Sequence, residues 1–346
     1  MKQKQIFTFR DAEKQVAPAA FSIMLKPAGS ACNLDCHYCY YLDKAVQYGG
    51  RQAVMDDQLL ELCIKQYIRA NEVDTVQFCW HGGEPLLLGV DFYRKAMDFQ
   101  QKYADGKKIE NILQTNGTLV DEAWCDLFAG NNFLVGISLD GPQDIHDAFR
   151  LTKGGRPTFE RVMRTIEMFQ RSGVEYNTLS VVNRLCEGRG GEIYRFFRDT
   201  VHSRYMQFLP AVEHVVDKPG FHRPLIVSPD REGARLAEWS VTAKGYGEFL
   251  CDVFVVSDVG RTFVQMFDAT LAQWCGVPPG VCSMGETCGD ALVVEHNGDV
   301  YSCDHFVYPE YKLGNIRETP LSEIYRSRKR VDFGLAKRNA LPAECL

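Results

Sequence analysis

Residues 21–41 read FSIMLKPAGSACNLDCHYCYY. The apolar run FSIML (21–25) is expected as a short strand, and it leads into a glycine-containing loop whose cysteines, Cys32, Cys36 and Cys39, follow the spacing C-x3-C-x2-C. Outward from this strand the chain alternates. MDDQLLELCIKQYIRAN (55–71) has acidic residues at its start and apolar residues at helical spacing. VDTVQFCW (73–80) is β-branched and aromatic and breaks at His81-Gly82-Gly83-Glu84-Pro85. VDFYRKAMDFQQKYA reads as a helix, and IENILQT (109–115) as a strand that stops at Asn116-Gly117. DEAWCDLFA, FLVGISLD (133–140), PTFERVMRTIEMFQRSG (157–173), VEYNTLSVV, a helix around 190–200 and RYMQFLP continue the rhythm. Sequential parallel strands with crossover helices are its natural solution. The chemically loaded segments all follow strand ends, where barrel active sites are built, so the expected architecture is α/β, a partial (β/α)6 TIM-like barrel.

Composition narrows the function classes. The 346 residues are 45% hydrophobic and 12% aromatic, enough to bury a full core and too apolar for a disordered chain. A net charge of −6 offers no general attraction to nucleic acid or to an anionic membrane surface. No apolar run approaches the roughly 20 residues a spanning helix needs, and the N-terminus turns polar too early for a signal peptide. A cytoplasmic setting is expected. There, 13 cysteines suggest metal or catalysis rather than disulfides. Cys63, Cys79, Cys125, Cys186 and Cys251, with Cys275, are expected to be buried small hydrophobes. Residues 213–240 are polar and rich in Pro and Gly, which places a boundary there. The expected division is a lead-in (1–20), the barrel (21–240), a helical linker (241–274) and a cysteine-bearing C-terminal part (275–346).

Three thiolates on one loop can hold three corners of an iron–sulfur cube and leave the fourth iron open to a small molecule. Structural zinc would want a fourth Cys or His in tetrahedral geometry. His37 sits inside the loop, where its reach is strained. A ferredoxin-type carrier would normally provide all four thiolates. With the aromatic Tyr38 before its third cysteine, the loop resembles the signature of the radical S-adenosylmethionine enzymes. That resemblance implies a [4Fe-4S] cluster on Cys32, Cys36 and Cys39, with S-adenosyl-L-methionine on the open iron and a 5′-deoxyadenosyl radical as its product. It also assigns the supporting segments. His81-Gly82-Gly83-Glu84-Pro85 resembles the family's GGE(P) loop, with Gly82 and Gly83 allowing close backbone approach and Glu84 accepting from the cofactor's ammonium group. Ser138 and Arg150 would contact its ribose or carboxylate, Tyr38 and Gly83 would add backbone contacts, and Val212 would line the adenine.

A second group, Cys282, Cys288 and Cys303, precedes Cys345 near the end of the sequence. ALVVEHNGDVYS between Cys288 and Cys303 reads as a hairpin around Asn297-Gly298. Loop, hairpin and loop could gather thiols around zinc as readily as around iron and sulfide. With Asp304 after Cys303, and Lys312-Leu313-Gly314-Asn315-Ile316 following, the segment resembles the SPASM domain, which carries two auxiliary [4Fe-4S] clusters. Cys282, Cys288 and Cys303 would serve the first and Cys345 would begin the second, with further ligands expected beyond Leu346.

Over nearly the whole chain the combination is similar to the anaerobic sulfatase-maturating enzymes. That implies oxidation of a Cys or Ser in an unfolded sulfatase peptide to Cα-formylglycine. An external one-electron donor such as flavodoxin or ferredoxin is implied, with no nucleic acid or membrane partner. Asp304 is the candidate base, and Tyr41 and His81 are candidates for substrate contact. Two alternatives stand beside this: a SPASM maturase that forms crosslinks in a ribosomal peptide, and a zinc-stabilised binding protein without catalysis.

Overall fold

The computed structural model describes residues 19–41, 44, 54–217, 224–227 and 231–341. β1 (Ser22–Lys26) starts the sheet and is followed by α1 (Asp57–Ala70), whose first turn is capped by the Asp56 side chain accepting from Leu59 N. Then come β2 (Thr75–Trp80), α2 (Val90–Tyr103), β3 (Lys108–Thr115), α3 (Glu122–Gly130) and β4 (Leu134–Ser138). A short helix, α4 (Gln143–Phe149), precedes α5 (Phe159–Ser172). α5 buries Val162, Thr165, Ile166 and Phe169, one face at helical spacing, and stops at Gly173 with φ 69°. β5 (Glu175–Val182), α6 (Gly190–Arg195) with a wide turn over Phe196–Thr200, and β6 (Tyr205–Pro210) complete the series.

β1 to β6 lie side by side in chain order, each parallel to the next. This is the partial (β/α)6 barrel. The polar stretch after it holds a small antiparallel sheet of β7 (His214–Val216), β8 (Leu225–Val227) and β9 (Arg235–Leu236). Residues 241–274, read above as a linker, pack into the barrel's own core. α7 (Ala243–Val256) buries Gly245, Phe249 and Val253, and β10 (Phe263–Val264) pairs parallel with β6 before α8 (Gln265–Trp274). Gly190 lets α6 and α7 touch: a Cβ there would lie 2.4 Å from Phe249 O.

The C-terminal part joins the same sheet. β11 (Ala291–Glu295) lies parallel to β1, β12 (Asp299–Tyr301) returns antiparallel, and β13 (Lys312–Asn315) forms the edge. The expected hairpin turns at Gly298, with φ 90°. α9 (Leu321–Arg326) and α10 (Arg328–Asn339) follow. Leu292, Val294, Val300, Leu321 and Ile324 belong to one core with the barrel strands. Among the described residues no helix is long and apolar enough to cross a membrane.

Cys63, Cys125 and Cys186 are buried as expected. Cys251 and Cys275 are exposed instead. Cys251 falls between the core positions 249 and 253 of α7 and so faces outward.

Candidate active site

The strand ends of the barrel surround a cavity of about 460 Å³. Cys32, Cys36 and Cys39 line one part of it. Their loop is pinned from outside by Asp35 N donating to Leu151 O at 2.9 Å and His37 N to Phe149 O at 3.2 Å. Leu34, Cys36 and Tyr38 bury themselves together beneath it. Burial pushes the Cys32 thiol up to about 12, with the Glu84 carboxylate adding to the rise, and lifts Cys36 further against the opposing charge of Arg150. Dry thiols of this kind become thiolates on binding a metal.

The 82–84 segment approaches the loop backbone to backbone. Gly83 N donates to Gly29 O at 2.8 Å and Glu84 N to Ala31 O at 2.7 Å, and a Cβ on Gly83 would lie 2.1 Å from Ala31 O. Only glycine fits there. Gly82, with φ 132°, lines the cavity beside it. Glu84 is fully buried and its oxygens accept from Thr115 Oγ1 at 2.7 Å, Asn116 N at 2.8 Å and Leu86 N at 3.1 Å. It ties the ends of β2 and β3 together and is not among the cavity's lining residues. Burial raises its carboxyl to about 7 against these hydrogen bonds.

Arg150 and Ser138 both line the cavity. Arg150 is 6% exposed, and its Nη2 donates to Asp140 Oδ1 at 3.0 Å while its buried Nε has no hydrogen-bond partner among the described residues. Asp140 also accepts from the Tyr38 hydroxyl and from Val181 N. This fixes the position of the Tyr38 ring in the cavity wall. Ser138 Oγ accepts from Gln114 Nε2 at 3.0 Å. Asn177 Oδ1, another buried atom with no hydrogen-bond partner among the described residues, belongs to the same lining. Val212 is 53% exposed and stands outside the lining, which its neighbours Leu209, Pro210, Ala211 and Glu213 supply.

Across the cavity stands Asp304. Its carboxylate pairs with the Nζ of Lys26, which is fully buried, and accepts from the Tyr40 hydroxyl. Burial works to raise the Asp304 carboxyl, but the Lys26 ammonium, with the Tyr40 hydrogen bond assisting, holds it well below the usual carboxylate range. The Lys26 ammonium also sits 3.5 Å from the centre of the Tyr41 ring, and Tyr41 OH donates to both oxygens of buried Glu295, at 2.7 and 2.8 Å. His81 lines the cavity as a neutral imidazole: burial lowers it to about 4, and its Nδ1 accepts from Gly82 N at 2.8 Å. Sequence reasoning missed Lys26, Tyr40, Asp140 and Glu295. Lys26 carried one signal, a charge closing an otherwise apolar strand.

Behind Asp304 lies the second cysteine group. Cys303 and Cys288 are half-buried and Cys282 is exposed. Burial raises the Cys288 and Cys303 thiols, and each feels the charge of Cys282. Cys345 lies outside the described residues. Among the described residues no three His, Cys, Asp or Glu side chains stand close enough together to share one metal ion. A four-iron cube spreads its thiolates wider than one zinc with Zn–S bonds of about 2.3 Å. The all-thiol donor sets, and the glycine-lined approach at Gly83, fit an iron–sulfur cluster in the barrel and another behind Asp304.

A family model described as "Radical SAM superfamily" matches residues 27–186, and one described as "Iron-sulfur cluster-binding domain", SPASM, matches 282–346. A serine-type anaerobic sulfatase-maturating enzyme from Bacteroides thetaiotaomicron is 47% identical over 93% of this chain and 78% of its own length. A cysteine-type enzyme of the same description from Clostridium novyi is 35% identical over 91% of this chain and 81% of its own. A solved structure described as "Native anSMEcpe with bound AdoMet and Cp18Cys peptide" superimposes with a TM-score of 0.80 at 32% identity, covering 94% of this chain and 85% of that one.

Proposed function

Because the chain belongs to the anaerobic sulfatase-maturating enzymes of the radical S-adenosylmethionine superfamily, we propose that it oxidises a Cys or Ser of an unfolded sulfatase peptide to Cα-formylglycine. It is an iron–sulfur enzyme that uses S-adenosylmethionine, with auxiliary clusters in its C-terminal domain, and the zinc-stabilised alternative without catalysis falls away. Bound there, the clusters and S-adenosylmethionine supply a hydrogen-abstracting radical and an acceptor for the second electron.

The chain's own residues do the rest. Cys32, Cys36 and Cys39 hold the radical-forming cluster. The bare backbone at Gly82 and Gly83, the orphan Nε of Arg150 and Ser138 Oγ receive the polar end and ribose of the cofactor, with Tyr38 fixed by Asp140 beneath it. Glu84 acts chiefly as the tie between β2 and β3. Asp304 takes the hydroxyl or thiol proton as Cβ is oxidised. Lys26 and Tyr40 hold its carboxylate in the ionised form and aimed at the cavity. Tyr41 and His81 shape the pocket that receives the target side chain. Cys282, Cys288, Cys303 and Cys345 serve the auxiliary clusters, and a flavodoxin or ferredoxin delivers the priming electron.

The observation that carries this proposal is the placement of Asp304. Its part-buried carboxylate lines the same cavity as the three-cysteine loop. The test is anaerobic turnover with S-adenosylmethionine, a reductant and peptides containing C-x-P-x-R or S-x-P-x-R. An aldehyde trapped on the peptide supports the assignment, and comparison of the two peptides gives the target residue. Peptide left unoxidised while S-adenosylmethionine is cleaved favours the crosslinking alternative. Asp304→Asn should keep cleavage and lose the aldehyde; an unimpaired aldehyde yield removes Asp304 from the mechanism.

A further inference from the structure

One face of α10 lies along the Cys282–Gly289 loop. Arg330, Gly334 and Lys337 share that face, three or four residues apart. Arg330 Cδ is the nearest atom to where a Cβ on Gly289 would stand, at 3.2 Å. At Gly334 the helix backbone meets Cys288 directly: Cys288 N donates to Gly334 O at 3.2 Å, and a Cβ on Gly334 would fall 2.1 Å from Cys288 O. One turn on, Lys337 Nζ donates to three carbonyls of the loop, Cys282 O at 2.7 Å, Ser283 O at 2.9 Å and Gly285 O at 2.6 Å. All three ammonium protons are thus spent on a single four-residue segment that begins with a cysteine.

The helix itself is cationic. It carries Arg328, Lys329, Arg330, Lys337 and Arg338 against Asp332 alone, and Gly334 is its one buried residue. Its apolar contact is limited to Phe333, packed edge-on against Phe306 and Tyr311, and the loop's carbonyls and charges supply the rest of its seat. Arg338 pairs with Glu286 at 3.1 Å, and Lys329 Nζ donates to Lys312 O at 2.7 Å, so the helix is fastened on both sides of the loop. A cluster with four thiolates is an anion, and its potential depends on hydrogen bonds, burial and nearby charge. Groups behind the ligands orient them and tune the metal.

We propose that Lys337 is the positioning residue of the auxiliary-cluster loop, holding Cys282–Gly285 in its ligand-bearing shape and setting a cation against the cluster's negative charge. This rests on the assignment of Cys282, Cys288 and Cys303 to an auxiliary cluster.

The test uses the anaerobically purified, cluster-loaded, full-length protein, with iron and sulfide counted per chain and the auxiliary signal titrated by EPR. Lys337→Met is expected either to lose auxiliary iron or to keep it with a reduction equilibrium constant about tenfold lower, a shift of 59 mV for one electron. Lys337→Arg should restore both iron and potential toward wild type. Should Lys337→Met fail to accumulate folded, Lys337→Gln, a neutral donor, is titrated in its place and read the same way. Wild-type iron and potential in the neutral variant overturns the proposal. An arginine variant as defective as the neutral one overturns the charge assignment. Cys288→Ala is the control: if it keeps all the wild-type iron, the ligand assignment has failed independently of Lys337.

Discussion

Replacing Lys26 by Met tests how the Asp304 carboxylate is held. Lys26 ends β1 with 0% of its side chain exposed, and Asp304 has 17%. The substitution keeps the length and volume of the stem and deletes the charge. It leaves a part-buried carboxylate with the Tyr40 hydroxyl as its remaining side-chain donor among the described residues, and it removes the cation from the Tyr41 ring. Breaking a buried pair from one side costs about 3–5 kcal/mol, and the desolvated cation–π contact adds up to about 2 kcal/mol that partly overlaps it. Lys26→Met should therefore lower unfolding stability by about 4 kcal/mol. Asp304→Asn alone strands the ammonium and should cost a similar amount, whereas the double variant buries no unpaired charge and should cost less than either single change.

The assay is urea unfolding followed by circular dichroism, on wild type and the three variants at equal iron content. The coupling energy from the cycle should exceed about 2 kcal/mol. Additivity within about 0.5 kcal/mol would refute the ion pair as the element that fixes Asp304. Aldehyde formation provides a second axis. Lys26→Met retains the carboxylate yet loses its orientation, so it should slow product formation while Asp304→Asn stops it.

Three further outcomes follow from the cavity wall. Glu84 titrates from 4.5 in the unfolded chain to about 7 in the fold, so its contribution is full below 4.5 and is lost as pH rises to about 7. The difference amounts to roughly 3 kcal/mol, and Glu84→Gln should flatten that part of the pH–stability curve, measured by urea midpoints between about pH 4.5 and pH 7.5; an unchanged slope would point to another group. Gly83→Ala drives a methyl onto Ala31 O, so it should cost about 1–3 kcal/mol and weaken S-adenosylmethionine binding by anaerobic calorimetry, and wild-type affinity would show that the loop yields freely. Val212→Ala should leave that affinity within about twofold, as for an exposed side chain, and a tenfold loss would return Val212 to the cofactor site.

The barrel was legible because each strand and helix announces itself over 5 to 14 consecutive residues, as β1 and α5 do. α4 escaped notice: seven residues between Pro142 and Arg150 are too few to show a period. The packing of 241–274 into the core was hidden for another reason. Its apolar spacing was visible, but that Phe249 and Val253 enter the barrel core depends on Gly190, far back in the chain. The cysteine loops declared their chemistry through spacing. The charges that serve the site did not, because Lys26 and Glu295 resemble ordinary solvated strand ends. Their meaning lies in contacts such as Lys26 to Asp304, 278 residues apart. Val212 rests on position in the resemblance alone, and the structure gives it 53% exposure outside the cavity lining.

What joins the two halves of the site is register. β11 lies against β1 with Lys26 opposite Glu295, and both are fully buried. The hairpin then turns at Gly298, where Asn315 Oδ1 would lie 3.0 Å from an added Cβ, and β12 runs back to Tyr301. Three residues on, the chain delivers Asp304 to Lys26 and Cys303 to the outer side. A slip of one residue between β1 and β11 would exchange the faces of every side chain in β11. Glu295 would leave the Tyr41 hydroxyl, Val294 would lose its place in the core, and Asp304 would be carried about 3.3 Å off its partner. The parallel β1–β11 pairing therefore sets the distance between the barrel's cluster loop and the carboxylate that must act beside it.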